Sequence, residues 1–165
     1  MKLSGNDKVI GMIVTDDFDT SVLTISKYGM AKRSRLGSGE MLPLTEAGTP
    51  IVDESGDQIF ERDGYRKTNR GTKGVRTMSL RDGDEIVGVR QIPDLDDQLF
   101  MLTGSGMMIR MVSGQTRETL GKVTKGTRIM ELRNRARTGY EDEIVFVARL
   151  PSELISTAET PEEEE

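Results

Sequence analysis

Residues 24–33 read TISKYGMAKR, and residues 101–110 read MLTGSGMMIR, the same pattern 77 positions later. Each segment places a glycine turn between two short runs of strand-forming residues, and each ends in a basic residue, Arg33 or Arg110. Two such runs joined by a short glycine turn are typical of a β-hairpin. Because the hairpin recurs at a fixed spacing, the sequence indicates a repeat architecture.

Two further segments recur around these hairpins. An acidic turn followed by an apolar strand occurs three times, as DKVIGM at 7–12, DEIVGV at 84–89 and DEIVFV at 142–147. A Lys-Gly step into an alternating strand occurs twice, as TKGVRTMSL at 72–80 and TKGTRIMEL at 124–132. No convincing apolar run has helical spacing over three or more turns. We therefore predict an all-β protein.

The spacing of the repeats predicts the domain organisation. The hairpins are 77 residues apart but the Lys-Gly steps only 52, so the first unit holds 25 additional residues, which we place in an inserted hairpin near 38–64. A basic unit of about 50 residues with four short antiparallel strands is the size of one propeller blade. A β-sandwich would show similar strand patterns, and the repeat favours blades.

We predict a partial, propeller-like β-pinwheel of about two blades. The expected organisation is the end of a preceding repeat at 1–6, a blade at 7–80, a second blade with following strands at 84–150, and an acidic disordered tail at 151–165. Because two blades leave open sheet edges, we also expect self-association.

Composition excludes most catalytic chemistry. The chain has no Cys and no His, so thiolate nucleophiles, imidazole bases and the commonest zinc sites are absent. The acidic clusters at 16–19 and 94–97 lack the glycine and terminal glutamate of a calcium-binding loop and are interpreted as solvated turns. We expect no metal, no cofactor and no catalytic residue. No apolar run reaches the roughly 20 residues that span a bilayer, so we expect no membrane association and a cytoplasmic location.

Charge is distributed unevenly along the chain. The formal net charge is −5, yet residues 1–150 hold all 23 Lys and Arg against 22 Asp and Glu, and the last 15 residues hold the other six carboxylates. The body is near neutral and the tail is acidic. The average charge therefore does not argue against a nucleic-acid partner.

These repeats resemble the blades of the C-terminal domain of the bacterial DNA gyrase A subunit, which is related to the corresponding domain of topoisomerase IV. The resemblance covers roughly residues 3–150 and does not separate the two enzymes. The family's most specific motif is the gyrase-A box, Q-R-R-G-G-(R/K)-G, and its nearest match here is TNRGTKG at 68–74. Four positions fit, namely Arg70, Gly71, Lys73 and Gly74. The second unit keeps only Lys125 and Gly126 in register.

The resemblance implies a non-catalytic module that binds and bends duplex DNA for a type IIA topoisomerase. Its implied partners are duplex DNA, the gyrase B subunit and the remainder of the gyrase A subunit, and the parent enzyme would be an ATP-dependent isomerase. The predicted DNA-binding residues are basic side chains near the glycine turns: Lys32, Arg33, Arg35, Arg70, Lys73, Arg76, Arg110, Arg117, Lys122, Lys125 and Arg128. With three Tyr, four Phe and no Trp to stack on unpaired bases, duplex backbone contact fits better than single-strand binding.

Two alternatives stay open from the sequence. Basic residues on strand edges also deter edge-to-edge aggregation, and cations with that role would need no ligand. A propeller-like module whose acidic turns and insertion contact a protein partner is the competing function. Salt-sensitive duplex binding distinguishes the DNA-binding function from both.

Overall fold

The computed structural model describes residues 3–119, 124–132 and 141–158. Within these ranges the chain forms short β-strands, a 3-10 helix at Ser113–Gln115 and an α-helix, α1, at Ser152–Ala158. The strands are β1 (Ser21–Ser26), β2 (Met30–Arg35), β3 (Met41–Pro43), β4 (Thr45–Glu46), β5 (Thr49–Pro50), β6 (Phe60–Arg62), β7 (Ile86–Ile92), β8 (Gln98–Thr103), β9 (Met108–Val112), β10 (Thr127–Arg128) and β11 (Ile144–Leu150). The predicted all-β class is confirmed.

Both predicted hairpins form, and each is the centre of an antiparallel sheet. Strands β1 and β2 join through Gly29, whose φ of 80° suits a residue without a side chain, and strands β8 and β9 join through Gly106, at 82°. The first sheet has the order β10-β2-β1-β7, and the second, within the described residues, has the order β11-β8-β9. These sheets are the two pinwheel blades that the repeat predicts.

Strand pairing crosses the sequence units. The acidic-turn strand β7 follows residue 84, yet it pairs with β1 of the first hairpin, and β11 likewise pairs with β8. The second Lys-Gly strand, β10, pairs with β2 through Thr127 and Ala31. Each unit thus completes the sheet of the unit before it. The limits 7–80 and 84–150 describe the repeat and stay a prediction as domain limits.

The two sheets pack face to face around an apolar core. Buried residues from the facing strands include Leu23, Ile25, Leu99, Met101 and Val147. Gly88 of β7 permits the close approach, because a Cβ atom there would lie 3.0 Å from Val147 Cγ2. A side chain at this position would therefore require Val147 to shift by a few tenths of an ångström.

An aspartate from the acidic turn closes each hairpin. Asp84 Oδ1 accepts hydrogen bonds from the backbone N–H of Tyr28 (3.1 Å) and of Glu85 (3.0 Å). Asp142 Oδ1 accepts from the N–H of Ser105 (3.1 Å) and of Glu143 (3.0 Å). The acidic turn that the sequence repeats is therefore a cap for the glycine turn of the preceding hairpin.

Lys27 links the two caps. Its backbone N–H donates to Glu85 O at 2.8 Å, and its carbonyl accepts from Ile144 N–H at 2.9 Å. Its ammonium lies 3.9 Å from a carboxylate oxygen of Glu85 and 3.9 Å from one of Glu143. Because both glutamates are exposed, the ion pairs contribute little and the backbone bonds fix the position.

Residues 41–62 form an extension that follows β2 and contains two small two-stranded sheets of its own. Strand β3 pairs with β6, and β4 pairs with β5, while the ends of the extension meet where Asp63 N–H donates to Glu40 O at 2.9 Å. This hairpin lies where the sequence places its 25 additional residues. Its side chains Met41, Leu42, Val52 and Phe60 are about half exposed.

Three segments differ from the sequence-based expectation. The segments 7–12 and 72–80, in which apolar or alternating strands were predicted, have no ladder partners among the described residues, because β7, β10 and β11 complete the sheets of the two hairpins. The disordered tail predicted from residue 151 is wrong for Ser152–Ala158, which form α1. Ser152 N–H donates to Asp97 Oδ1 at 2.9 Å and its hydroxyl to Asp94 Oδ2 at 2.7 Å, so the helix start is held to the second sheet. No helix among the described residues is long and apolar enough to cross a membrane.

Candidate nucleic-acid interface

A continuous basic segment follows the inserted hairpin. Residues 64–81, here called the basic loop, contain six cations and no carboxylate, and every one of the six is exposed. Among the described residues none of the six forms an ion pair. The six are Arg66, Lys67, Arg70, Lys73, Arg76 and Arg81. A stretch of one charge sign raises the local potential and attracts polyanions.

The sequence pattern singles out three of these six, Arg70, Lys73 and Arg76, from their place around the Lys-Gly step. It misses Arg66, Lys67 and Arg81. The absence of any Asp or Glu between residues 63 and 82 is the signal that could have found them. A motif centred on glycine identifies only the cations at the turn, whereas the run of cations extends beyond the turn on both sides.

Two of the three glycines of the basic loop are open to a ligand. Gly71 and Gly74 have φ values of 76° and 86°, and a Cβ atom at either would meet nothing within 4 Å. Gly126, in the second Lys-Gly step, is different, because a Cβ atom there would lie 2.3 Å from the carbonyl oxygen of Ala31. Only the first step therefore lets a DNA backbone approach the protein backbone closely.

Thr77 anchors the basic loop to the first sheet. Its hydroxyl lies 2.7 Å from the Tyr65 hydroxyl and 3.1 Å from that of Thr24, and its carbonyl oxygen accepts from Lys32 Nζ at 2.7 Å. The neighbouring Met78 is buried. The loop is thus attached near its C-terminal end while the cations before residue 77 stay in solvent.

The second Lys-Gly segment runs beside the basic loop. Ser79 N–H donates to Thr124 O at 3.0 Å, which joins the two segments directly. Lys125 and Arg128 are exposed on this second segment, and β10 fixes Arg128 against the edge of β2. The structure therefore brings five of the predicted contact residues onto adjoining segments: Arg70, Lys73, Arg76, Lys125 and Arg128.

Three predicted contacts on β2 are engaged within the protein. Lys32 is only 2% exposed, so its prediction as a DNA contact is wrong. Strand alternation places it on the face of β2 that Thr77 and the basic loop cover. Arg33 Nε donates to Thr116 O at 2.8 Å and its guanidinium pairs with Glu118 at 3.2 Å.

Arg35 is exposed but held by two carboxylates, Asp63 at 2.7 Å and Asp19 at 2.9 Å. Its charge is therefore already balanced, which weakens it as a phosphate ligand.

The remaining predicted contacts belong to the second unit. Arg110 is exposed on β9, where it donates to Gln98 and lies 5.8 Å from the centre of the Phe100 ring. Arg117 is exposed in the segment after the 3-10 helix. Lys122 lies outside the described residues. These positions stay predictions, and the geometry concentrates exposed positive charge at the basic loop.

Comparison with known proteins agrees with the repeat pattern. The family model described as the DNA gyrase C-terminal domain, β-propeller, matches residues 1–16, 59–93 and 97–151, which include the whole basic loop. The DNA gyrase A subunit of Campylobacter jejuni is 28% identical over 148 residues, 90% of this chain and 13% of that protein. The DNA gyrase A subunit of Helicobacter pylori strain 26695 is 30% identical over 154 residues, 93% of this chain and 14% of that protein.

Among solved structures, the Escherichia coli ParC C-terminal domain superposes with a TM-score of 0.51 at 18% identity. The match covers 84% of this chain and 44% of the solved one. The chain therefore spans a small part of the full-length relatives and about half of the solved domain. At this identity the superposition shows a shared fold and does not by itself indicate a function.

Proposed function

Since the chain belongs to the family of DNA gyrase C-terminal β-propeller domains, we propose that it is a non-catalytic module that binds and bends duplex DNA for a type IIA topoisomerase. One observation carries this proposal: the basic loop presents six exposed cations, no carboxylate and two glycines open to solvent. Cations beside exposed backbone are suited to phosphate oxygens, which approach both side chains and N–H groups.

Backbone contact of this kind carries no direct sequence information. The affinity arises from release of counterions when Lys and Arg neutralise phosphates, and any preference among sequences reflects how easily the DNA bends. We therefore propose weak, salt-sensitive binding without base readout. The gyrase-like parent would supply the strand-passage chemistry from another domain.

The proposed assembly follows from the same family. The proposed protein partners are a gyrase B subunit and the rest of a gyrase A subunit, and the cytoplasm is the proposed location. Self-association through sheet edges is a further proposal, which the exposed side chain of Met108 on β9 supports.

Substitution in the basic loop tests DNA binding. Replacing Arg66, Arg70 and Lys73 together by Gln should weaken binding to a fluorescently labelled duplex in an anisotropy titration at low salt. Because each lost phosphate contact removes released counterions, the slope of log affinity against log salt should become shallower by about 0.9 per contact.

A charge-matched pair provides the control. Lys73 and Lys8 are both exposed, but only Lys73 lies in the basic loop. Lys73→Gln should weaken binding more than Lys8→Gln, although each removes one charge. Equal effects would assign binding to net charge alone, and an unchanged affinity and slope in the triple variant would refute the DNA-binding proposal.

The inserted hairpin favours a second candidate function. Four of its large apolar side chains, Met41, Leu42, Val52 and Phe60, are about half exposed, and duplex DNA does not need them. Exposed apolar side chains of this kind support a protein-interaction module. It predicts that Leu42→Ser with Phe60→Ser leaves duplex binding unchanged.

A further inference from the structure

A groove lies on the face of the first sheet that points away from the second sheet. Its volume is about 960 Å³, and we call it the first-sheet groove. One side is formed by residues 5–10 and the other by Thr77 and Leu80 of the basic loop, while the first sheet forms the floor. The apolar part of the lining comprises Ile10, Val22, Leu80, Ile86 and Val89.

The N-terminal segment packs on the first sheet in the way that β7 packs on the second. A Cβ atom on Gly11 would lie 2.9 Å from Val89 Cγ1, and one on Gly88 would lie 3.0 Å from Val147 Cγ2. In the repeated acidic-turn strand both glycines hold the fifth position and both valines hold the sixth. The same packing contact is therefore made twice, and residues 7–12 take the place of a strand in a further sheet.

The first Lys-Gly segment takes the place of a second strand in that sheet. Residues 75–76 are the repeat equivalents of β10, and Ser79 N–H joins this segment to Thr124 O of the second Lys-Gly segment at 3.0 Å. Among the described residues, neither 8–14 nor 75–78 donates a backbone hydrogen bond to a strand. Both sides of the groove thus present main-chain groups that a strand could pair with.

The first sheet shows what belongs between two such segments. There, β7 and β10 are the outer strands, and the hairpin β1–β2 lies between them. The repeat gives the same two outer positions to residues 7–12 and 75–78. The groove between these segments therefore corresponds to the position of a two-stranded hairpin, which would gain main-chain hydrogen bonds along both of its edges.

Asp7 marks the end of the groove where the turn of that hairpin would lie. Its equivalents, Asp84 and Asp142, each accept a backbone N–H from the glycine turn of the hairpin beside their strand. Among the described residues, Asp7 accepts only the backbone N–H of Ser4, at 2.7 Å. Because Asp7 lines the groove, its carboxylate is placed to accept from the turn of an added hairpin.

Apolar exposure along the N-terminal segment agrees with this arrangement. Val9 is 67% exposed and Met12 is 83% exposed, whereas their equivalents in β7, Ile86 and Val89, are partly buried. A strand paired with residues 7–12 would remove part of this apolar surface from water, which favours binding.

We propose that the first-sheet groove is the docking site for a β-hairpin with a glycine turn. The first strand of the hairpin pairs with residues 7–12, the second pairs with residues 75–78, and the turn donates to Asp7. The partner is a further hairpin of the same repeat, carried by the rest of the proposed gyrase A subunit. The source of the hairpin rests on the proposed function, whereas the shape and chemistry of the groove do not.

A peptide with the sequence of residues 20–36 provides a probe of this repeat type. It contains the first hairpin, four cations and no carboxylate. Labelled with a fluorophore and titrated with the intact chain, it should bind saturably as measured by anisotropy. Amide hydrogen exchange should then slow in residues 8–14 and 75–78 and stay unchanged in the inserted hairpin.

A second peptide separates hairpin recognition from charge. Gly29→Val within residues 20–36 keeps every charge but places a branched side chain at a φ of 80°. Because that conformation costs a residue with a side chain about 1–3 kcal/mol, the variant peptide should bind roughly tenfold more weakly. Equal binding of the two peptides would show attraction between charges alone and refute the proposal.

Two aspartates of the chain form a matched pair. Asp7→Asn should weaken binding of the wild-type peptide by roughly tenfold, because hydrogen bonds to a charged acceptor are lost. Asp16→Asn removes the same charge from an exposed position outside the groove and should change binding little. Gly11→Val should also weaken binding, since a side chain there requires Val89 or residues 7–12 to shift. Equal effects of the two aspartate variants would overturn the role of Asp7 as the turn acceptor.

The remaining outcomes concern the occupant. No cation of the basic loop lines the groove, so Gly11→Val should bind duplex DNA as wild type does, and failure of either proposal leaves the other intact. Failure of the wild-type peptide to bind would refute the docking site. Displacement of bound peptide by duplex DNA would assign the groove to DNA, and dissociation of a dimer of the chain by the peptide would assign it to a second copy. Either result would overturn the proposed partner.

Discussion

Asp142 stabilises the second hairpin by accepting hydrogen bonds from a turn that it does not belong to. Besides the two backbone N–H groups, it accepts the Ser105 hydroxyl at 2.5 Å. Burial opposes its charge, but hydrogen bonds from Ser105 and Thr103 outweigh burial and hold the pKa of Asp142 below the usual value for aspartate.

This lowered pKa predicts a loss of stability in acid. A carboxyl whose folded pKa is depressed stabilises the fold above its unfolded pKa, about 3.9, and that contribution is lost as pH falls through the folded value. Asp142→Asn should cost about 1 kcal/mol of unfolding free energy at pH 7, since an amide accepts more weakly than a carboxylate. It should also lose less stability than wild type between neutral pH and pH values below about 4. Urea unfolding followed by circular dichroism measures both.

Asp96→Asn is the matched control for Asp142→Asn, because Asp96 lies in an exposed turn of the same sheet. It should change neither the neutral stability nor the acid response. A variant of Asp142 that kept the full acid response of wild type would show that other carboxylates account for it.

For some side chains the sequence alone predicted whether they are exposed or buried, and for others it did not. Arg70 and Lys73 lie beside the glycines of the first Lys-Gly step, and their exposure followed from that turn pattern. From its sequence context, Lys32 is expected to be an exposed lysine on a strand, because lysines are rarely buried. Its burial depends on Thr77, 45 positions away, covering that face of β2. Local sequence does not contain this contact.

At the level of elements, the hairpins were predictable and their partners were not. The turns at Gly29 and Gly106 specify which strands pair within a hairpin, because the connection is too short for another arrangement. The strands β7 and β11 have an equally strong local pattern, but they join the hairpin of the preceding unit. Gly88 of β7 and Val147 of β11 lie against each other where the sheets pack, a contact between residues distant in sequence that the local pattern does not contain.

The inserted hairpin should be dispensable for folding. Its four strands pair only with one another among the described residues, and Pro43 lies opposite Phe60 in the β3–β6 register. Replacing residues 44–59 by Asn-Gly, a sequence suited to a two-residue hairpin turn, should keep β3 paired with β6 and retain Arg62. Tm should change by no more than a few degrees, and duplex affinity should stay within the range of wild type.

A deletion elsewhere in the chain gives the contrast. Removing the segment 86–92 takes β7 out of the first sheet and should abolish the cooperative unfolding transition. If the shortened hairpin variant also lost cooperative unfolding, the extension would be part of the core rather than an addition to it.

Across the whole molecule, positive and negative charge occupy different parts of the chain. The basic loop has six cations without an acid, while residues 159–165 hold five glutamates and no cation. The family identity, the repeat and this asymmetry were all readable from sequence, since each depends on order along the chain. Which cations face solvent required the fold, because β2 directs three basic residues into intramolecular contacts.

Truncation after Ala158 tests whether the acidic end competes with DNA for the basic surface. It keeps α1 and its contacts to Asp94 and Asp97, and it brings the formal net charge from −5 to zero. We expect tighter duplex binding at low salt, because tethered carboxylates compete for the same cations within a Debye length. The gain should shrink as salt rises, since the Debye length falls from about 10 Å at 0.1 M to about 3 Å at 1 M. Changing the five glutamates to Gln at full length is the control that separates charge from chain length. It should reproduce the truncation, and a truncation effect absent from the Gln variant would contradict electrostatic competition.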